Sequence, residues 1–168
     1  MQYKRIQVAA DKKLAKIGLN LKYKIQNEKK GESWTKSGHI IKINKIDAKS
    51  RWMAVQSIEH ILLHEIGHIL LQDFVTKKMQ KDKKVYDLFG DLSKGYIRNL
   101  KTKHQHPDFI STYAQVHPRD NFCEAFAVYA KFEGNIALIK DFLKERKKGI
   151  KVLNQMIWIK SLIKMTSK

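Results

Sequence analysis

The stretch from Trp52 to Phe74 constrains the fold more than any other part of the chain. No Lys or Arg occurs from Trp52 through Thr76, although these two residue types make up 34 of the 168 residues. A segment that loses its basic residues while Ile and Leu accumulate along it is typical of a helix buried through a domain. We therefore predict a central helix here, with Ser50 as its candidate N-cap residue.

This helix carries the pattern His-Glu-x-x-His. His64 and His68 are one helical turn apart on one face, so their imidazoles can bind one ion, and zinc is the usual ion for such a pair. Glu65 lies about 100° around the helix from His64, where it can take a proton from a metal-bound water without binding the metal. The alternative is a pair of core histidines satisfied by hydrogen bonds, but burying two His and a Glu among Ile and Leu would be costly without a ligand. Gly67 costs about 1 kcal/mol relative to Ala in mid-helix, which indicates a close approach by another backbone or a ligand.

A catalytic zinc ion usually has three protein ligands and one open position, so a third ligand is needed. The extended metzincin pattern is excluded, because it requires Gly and His where this chain has Leu71 and Phe74. Asp120 and Glu124 are the favoured candidates, since they lie four residues apart on one face of a predicted helix. One of them can bind the ion while the other accepts the N–H of a ligating histidine. A less favoured set is formed by histidines of the preceding polar stretch: His104, His106 and His117.

These two segments together resemble the gluzincin-type metallopeptidases, most closely the anthrax lethal factor-like and Pro-Pro endopeptidase-like group. In that group the His-Glu-x-x-His helix is followed by a stretch like Y-A-x-x-N-P-x-E-x-F-A-E, and residues 113–124 here read YAQVHPRDNFCE. The resemblance implies a zincin-like fold and peptide-bond hydrolysis. It also implies that Tyr113 stabilises the developing oxyanion and that Asp120 is the third zinc ligand. Glu124 would then form a hydrogen bond with a ligating residue without binding the ion itself.

The chain departs from that group at three positions. His117 replaces the usual Asn, Asp120 replaces Glu, and Cys123 replaces Ala. The shorter reach of Asp120 leaves Glu124 as the fallback ligand. The segment HEIGHILL is also similar to the repressor-cleaving peptidases of the ImmA/IrrE type, although those place their acidic ligand closer to the histidines.

Periodicity along the rest of the chain predicts an α+β fold, mostly helical, with a small N-terminal sheet before the motif helix. Strands are predicted over 19–25 and 34–43, with an exposed sheet edge near residues 38–40, and the basic segment after Phe74 is predicted to be a loop. The final helix is expected to pack its apolar side on the domain rather than on a membrane or a partner. The predicted helices are 3–17 ending near Gly18, a short helix from about Val85 up to about Gly95, 120–134 opened by Asp120, 136–148 capped by Asn135, and 150–165.

Composition sets the remaining expectations. A length of 168 residues fits one domain over 1–168. The single cysteine excludes an internal disulfide, and no secretory signal or membrane span of about 20 residues is visible, which together favour the cytoplasm. The formal net charge is +18, and a solvated Lys-rich surface is favoured over a nucleic-acid site because no Arg cluster or aromatic-interleaved basic motif occurs.

The function hypothesis is a zinc-dependent endopeptidase acting on peptides or proteins. His64, His68 and Asp120 hold Zn²⁺, Glu65 is the general base, and Tyr113 stabilises the oxyanion. Three alternatives are kept: a non-catalytic zinc-containing binding module, a nucleic-acid-associated protein, and an ImmA/IrrE-like regulatory peptidase. Neither the scissile sequence nor the oligomeric state follows from the sequence.

Overall fold

The motif helix lies between a small sheet and a group of helices that follow it in the chain. The structure is a computed structural model that describes residues 3–95 and 104–166. Within these ranges helices predominate, and the three-stranded sheet precedes the motif helix, so the predicted α+β arrangement is confirmed. The elements are α1 (Lys4–Lys16), β1 (Lys24–Asn27), β2 (Trp34–Lys36), β3 (Ile40–Ile43), α2 (Ile58–Phe74), α3 (Lys77–Gln80), α4 (Lys83–Phe89), α5 (Pro118–Lys131), α6 (Ile136–Glu145) and α7 (Ile150–Thr166), with 3₁₀ turns at Lys45–Lys49 and Tyr113–Gln115.

Helix α2 is buried along almost its whole length, as the missing basic residues predict. Its N-cap is Ser57, whose hydroxyl accepts the His60 N–H at 3.0 Å, so the prediction of Ser50 as cap is wrong. Ser50 instead ends the preceding 3₁₀ turn, with its N–H bonded to the Asp47 carbonyl. The residues between the two serines form turns, in which the Ala54 N–H is donated to the buried Glu124 side chain rather than to a helix.

Helices α2 and α5 cross in very close contact at Gly67. A Cβ added to Gly67 would lie 2.9 Å from the Cα of Cys123 and 3.0 Å from its Sγ, closer than real side chains pack. The predicted close approach of another backbone at Gly67 is therefore confirmed. The crossing brings one face of α5 against the histidine face of α2.

The sheet differs in detail from its prediction. The strand predicted over 19–25 begins only at Lys24, because the ladder starts where β1 meets β3 in parallel register, with Lys24 opposite Ile40. The single strand predicted over 34–43 is a hairpin, since Gly38 and His39 take left-handed backbone conformations (φ 78° and 57°) and reverse the chain.

The order of the strands is β1-β3-β2. The exposed edges are therefore β1 and β2, and the predicted edge near residues 38–40 is wrong. That span forms the hairpin turn and the start of the central strand. Strand β2 is the edge that matters for the site, because its central residue, Thr35, contacts α2.

The helices after α2 also differ in detail from the predictions. The basic segment predicted as a loop contains α3, capped by the Thr76 hydroxyl. Helix α5 begins at Pro118 rather than Asp120, with His117 as N-cap, because Pro is well suited to the first helical position and the His117 ring accepts the Arg119 N–H at 3.0 Å. The polar stretch before α5, to which the sequence analysis assigns no helix or strand, is irregular over residues 104–117 apart from the 3₁₀ turn, whereas residues 96–103 lie outside the described part of the chain.

The C-terminal helices complete the core. Asn135 caps α6 as predicted, its side chain accepting the Leu138 N–H. Helix α7 buries Val152, Met156 and Ile159 against the other helices, which confirms its predicted packing on the domain. None of the helices in the described residues has the length and apolar character needed to cross a lipid bilayer.

Candidate metal centre

The crossing of α2 and α5 brings together the residues that the sequence singles out. Helix α2 presents His64 and His68 one turn apart, and α5 presents Asp120 and Glu124 one turn apart. Both carboxylates are fully buried, while the His68 side chain keeps 21% of its surface exposed. The centre is therefore closed on the α5 side and open on the side of His68.

Three donor atoms converge at this point. The Asp120 Oδ1 lies 3.4 Å from Nε2 of His64 and 3.6 Å from Nε2 of His68. Ligands bound to tetrahedral zinc at about 2.0–2.2 Å are separated from one another by roughly 3.3–3.6 Å. The two separations from Asp120 Oδ1 fall in this range, so one carboxylate oxygen lies at ligand spacing from each imidazole nitrogen. A zinc ion held by these three residues would keep a fourth position for water or substrate.

Glu124 lies behind the centre and contacts the other side of His64. Its Oε2 is 2.9 Å from His64 Nδ1 and 2.7 Å from His60 Nε2. Its Oε1 accepts the Ala54 N–H and the Ser111 hydroxyl, both at 2.8 Å. Four donors occupy the four acceptor sites of one carboxylate. A proton held on His64 Nδ1 by Glu124 leaves the lone pair of Nε2 directed at the three-donor centre.

His60 belongs to this cluster, and the sequence analysis missed it. It lies one turn before His64, so the three histidines follow one another at four-residue spacing along α2. Its Nε2 shares the Glu124 oxygen with His64, and its Nδ1 is buried without a hydrogen-bond partner in the described residues. The four-residue repeat of His at 60, 64 and 68 is the signal that could have revealed it.

Glu65 lies at the boundary between the protein interior and a cleft. Only 5% of the surface of Glu65 is exposed. The Thr35 hydroxyl, from the edge strand β2, lies 2.7 Å from Glu65 Oε2 and 2.9 Å from the Glu65 carbonyl oxygen. Because both of these are acceptors, the single hydroxyl hydrogen is donated to one of them or shared between the two, and the shorter distance is to the carboxylate. Thr35 is a second residue that the sequence analysis missed, and no local pattern could have indicated a contact over thirty residues.

Two clefts meet at the centre. The larger cleft, about 730 Å³, runs from Trp34 and Thr35 past His68 toward α3. The smaller cleft, about 300 Å³, runs from His64 past Trp52 toward the 3₁₀ turn at Lys45–Lys49. Ser33, Glu65 and Tyr113 line both clefts. An extended chain that followed both clefts would therefore pass directly over Glu65.

Tyr113 lies beside the first histidine of the motif. Its ring stands edge-on to His64 with the two centroids 5.4 Å apart, and its backbone N–H is donated to the Trp52 carbonyl at 2.8 Å. The 3₁₀ turn that begins at Tyr113 thus fixes this side chain at the junction of the two clefts.

Opposite charges compensate one another in the buried half of the centre. Burial lowers the pKa of His64, but hydrogen bonds to Asp120 and Glu124 outweigh this effect and raise it to about 10. Burial opposes ionisation of both carboxylates, yet the histidines beside them hold the pKa of Asp120 and of Glu124 well below the usual range. The centre therefore holds buried negative charge that imidazolium groups, or a bound cation, can balance.

Cys123 is a further potential ligand. One ligand atom each from His64, His68 and Cys123 lies within 4.8 Å of the other two. This triplet leaves out Asp120, whose Oδ1 lies 3.4 and 3.6 Å from the two imidazole nitrogens. We favour Asp120 as the ligand, because burial and the neighbouring carboxylates raise the pKa of the Cys123 thiol well above its usual value and keep it protonated.

The less favoured histidines lie away from the centre. Both ring nitrogens of His117 face backbone groups, the Arg119 N–H and the Gly95 carbonyl. His106 accepts the Asp108 N–H, and the His104 residue is exposed. In the described residues none of the three joins a group able to hold a metal.

Comparison with known proteins gives one match. The profile of a family described as "putative zinc-binding metallo-peptidase" matches residues 57–165, which includes α2, α5 and every candidate ligand. Searches of curated proteins and of solved structures gave no match. Since the matched segment covers well over half of the chain, the protein belongs to this family of zinc-binding metallopeptidases.

Proposed function

We propose that the protein is a zinc-dependent endopeptidase, with His64, His68 and Asp120 as the residues that hold the ion. One observation carries this proposal. The Asp120 Oδ1 lies 3.4 Å from His64 Nε2 and 3.6 Å from His68 Nε2, and the Glu65 carboxylate lies beside them where two clefts meet. A zinc ion bound there would supply a Lewis acid that polarises a peptide carbonyl and makes water more acidic.

Glu65 is the general base in this proposal. It takes a proton from the water whose oxygen bonds to the scissile carbonyl carbon, and it delivers that proton to the amine as the C–N bond breaks. Thr35 supports this role by holding one carboxylate oxygen at 2.7 Å. The other oxygen is then available to the water.

Tyr113 and Glu124 have supporting roles. The ring of Tyr113 borders both clefts beside His64, where its hydroxyl can donate to the carbonyl oxygen as negative charge develops. Glu124 fixes the tautomer and orientation of His64 rather than binding the ion, because its four acceptor sites already face four donors.

The N-terminal sheet is part of the same catalytic unit in this proposal, so that residues 1–168 act as one domain. The family profile begins at residue 57, yet Thr35 contacts the proposed base, and Ser33 and Trp34 line the larger cleft. The coarse substrate class follows from the family, namely peptides or proteins.

The test combines metal analysis with peptide hydrolysis. Purified protein should bind close to one zinc per chain and cleave members of a mixed peptide library. Glu65→Gln should keep the metal and reduce kcat/KM by about 10²- to 10⁴-fold, because it removes a general base and not a ligand. Full zinc content with no cleavage of any library member, or a fully active Glu65→Gln variant, would refute the proposal.

A second candidate function is favoured by one observation, the position of Cys123. A site in which Cys123 joined His64, His68 and Asp120 would be four-coordinate and closed, as structural zinc sites are. That centre would belong to a non-catalytic binding module. Cobalt substitution distinguishes the two, since a thiolate ligand gives an intense sulfur-to-cobalt absorption band that Cys123→Ala would remove.

A further inference from the structure

The larger cleft contains an arginine that the proposed chemistry does not use. Arg119 occupies the second position of α5, directly before the proposed ligand Asp120, and it lines the cleft together with Glu65 and His68. It is half-buried. Its position beside the proposed catalytic groups makes it a candidate for contact with substrate.

The guanidinium of Arg119 is oriented by a hydrogen bond and, within residues 3–95 and 104–166, pairs with no carboxylate. Its Nε donates to the Leu92 carbonyl at 3.2 Å. No salt bridge of Arg119 occurs among the residues that the structure describes. Because a guanidinium has five N–H donors in a rigid fork, one bond to a carbonyl leaves both terminal nitrogens for another acceptor.

The choice of arginine is itself informative in this chain. Only five of the 34 basic residues are arginine. Arg146 shows the structural use, since its guanidinium donates to the Ala54 carbonyl at 2.6 Å and stacks on Phe142 with 4.2 Å to the ring centroid. Arg119 has no such aromatic partner in the described residues. A fork held in a cleft is the geometry that binds a carboxylate with two parallel hydrogen bonds.

The other charged residues of the two clefts also favour binding of a carboxylate in the larger cleft. In the larger cleft Lys77 adds positive charge. The one acid besides Glu65 among the described lining residues, Asp73, is paired with His39 at 2.9 Å. The smaller cleft has the opposite sign, because Glu32 and Asp47 line it and no Lys or Arg does so among the described residues. An acidic group of a substrate is therefore attracted to one side of Glu65 and repelled from the other.

We propose that Arg119 is a specificity-determining residue, which binds a carboxylate of the peptide substrate in the larger cleft. The inference rests on the proposed endopeptidase function. The carboxylate is either an acidic side chain of the substrate or the α-carboxylate at its C-terminus, and both have the same planar two-oxygen geometry. Lys77 contributes a weaker, solvent-exposed attraction.

The test uses pairs of quenched fluorescent peptides that differ in one group. In one arm Glu is replaced by Gln at each position on either side of the cleaved bond. In the other arm a free C-terminus is replaced by an amide. The wild-type protein should prefer the charged member of one pair by about 10- to 100-fold in kcat/KM, the range expected for loss of a charge-assisted bidentate contact. The position or the terminus that shows the preference identifies which carboxylate is bound.

Substitutions of Arg119 then assign that preference. Arg119→Gln should bring the ratio of charged to uncharged substrate close to one, and Arg119→Lys should retain an intermediate ratio because it keeps the charge without the fork. Arg119→Glu should invert the preference toward a Lys-containing peptide. Lys160→Gln is the matched control, since it removes one positive charge from the exposed side of α7 and should leave the ratio as in wild type.

A binding measurement keeps this inference separate from the proposed function. Calorimetry with the zinc-loaded Glu65→Gln variant measures the affinity of the same peptides without cleavage, and adding Arg119→Gln should abolish the difference between the charged and uncharged members. A charge preference that survives Arg119→Gln, in cleavage or in binding, overturns the assignment, as does the absence of any preference in wild type. Failure of the proposed function has another signature, because no peptide would then be cleaved while the binding comparison still decides the role of Arg119.

Discussion

The two sides of the metal centre are built in different ways. On the α5 side Asp120 and Glu124 are both fully buried, and Glu124 alone accepts four hydrogen bonds. On the cleft side Glu65 has one side-chain tether, the Thr35 hydroxyl, and His68 remains 21% exposed. The donor geometry is set by the crossing of two helices, whereas the proposed base, Glu65, is held at the edge of that crossing by a residue of strand β2. Substitutions on the buried side should therefore change metal affinity, and those on the cleft side should change turnover.

The largest effect is expected for Asp120→Asn. This change removes the charged oxygen that lies 3.4 and 3.6 Å from the two imidazoles. Zinc affinity should fall by more than about 100-fold. That is the upper end of the range seen when a residue that only hydrogen-bonds to a metal ligand is substituted. Competition with a chelator measures it. Retention of wild-type affinity would show that another residue, such as Cys123, is the third ligand.

Glu124→Gln should have the next largest effect, about 10- to 100-fold in metal affinity. An amide has one acceptor oxygen and one donor group, so at least one pair of the four buried donors facing Glu124 would lose its acceptor. The same chelator competition measures this effect, and thermal unfolding of the metal-free protein should show destabilisation as well. A loss larger than that of Asp120→Asn would reverse the assigned roles of the two carboxylates.

Gly67→Ala tests the helix crossing itself. Helix propensity alone would make Ala more stable by about 1 kcal/mol. The added Cβ would lie 2.9 Å from the Cys123 backbone, and overpacking of this kind costs about 1–3 kcal/mol. We therefore expect a net decrease in the free energy of unfolding, measured with denaturant. Gly95→Ala is the control, because no atom of the described part of the chain lies within 4 Å of its added Cβ. A stabilised Gly67→Ala protein would contradict the crossing.

The smallest effect is expected for Thr35→Val. The change removes the hydroxyl that holds Glu65 and keeps the branched shape, so kcat should fall by about tenfold or less while zinc affinity stays unchanged. Thr35→Ser keeps the hydroxyl and should recover most of the activity. Equal activity of the Val and Ser variants would mean that β2 does not position the base.

The sequence predicted the parts of the site that depend on helical periodicity. His64 and His68 share a face because they are four residues apart, and the same spacing paired Asp120 with Glu124 and suggested that one would support a histidine from behind. The buried character of α2 followed from its lack of Lys and Arg, and the close crossing followed from Gly67.

The parts that sequence reasoning missed depend on contacts between distant segments. Thr35 reaches Glu65 only because a hairpin turns at Gly38 and places β2 at the sheet edge. The helix start at Ser57 rather than Ser50 depends on Ala54, whose N–H is bonded to Glu124 seventy residues away. Both serines have the chemistry of an N-cap, so local propensity could not distinguish them.

The contact between Gly67 and Cys123 also makes the separation of α2 and α5 measurable. The only thiol in the chain is fully enclosed where the two helices touch, so an alkylating reagent can reach it only when the helices separate. The rate of alkylation therefore reports the free energy of that opening. If labelling is slower with zinc than without it, the ratio of the two rates gives the free energy by which the ion stabilises the contact between the helices.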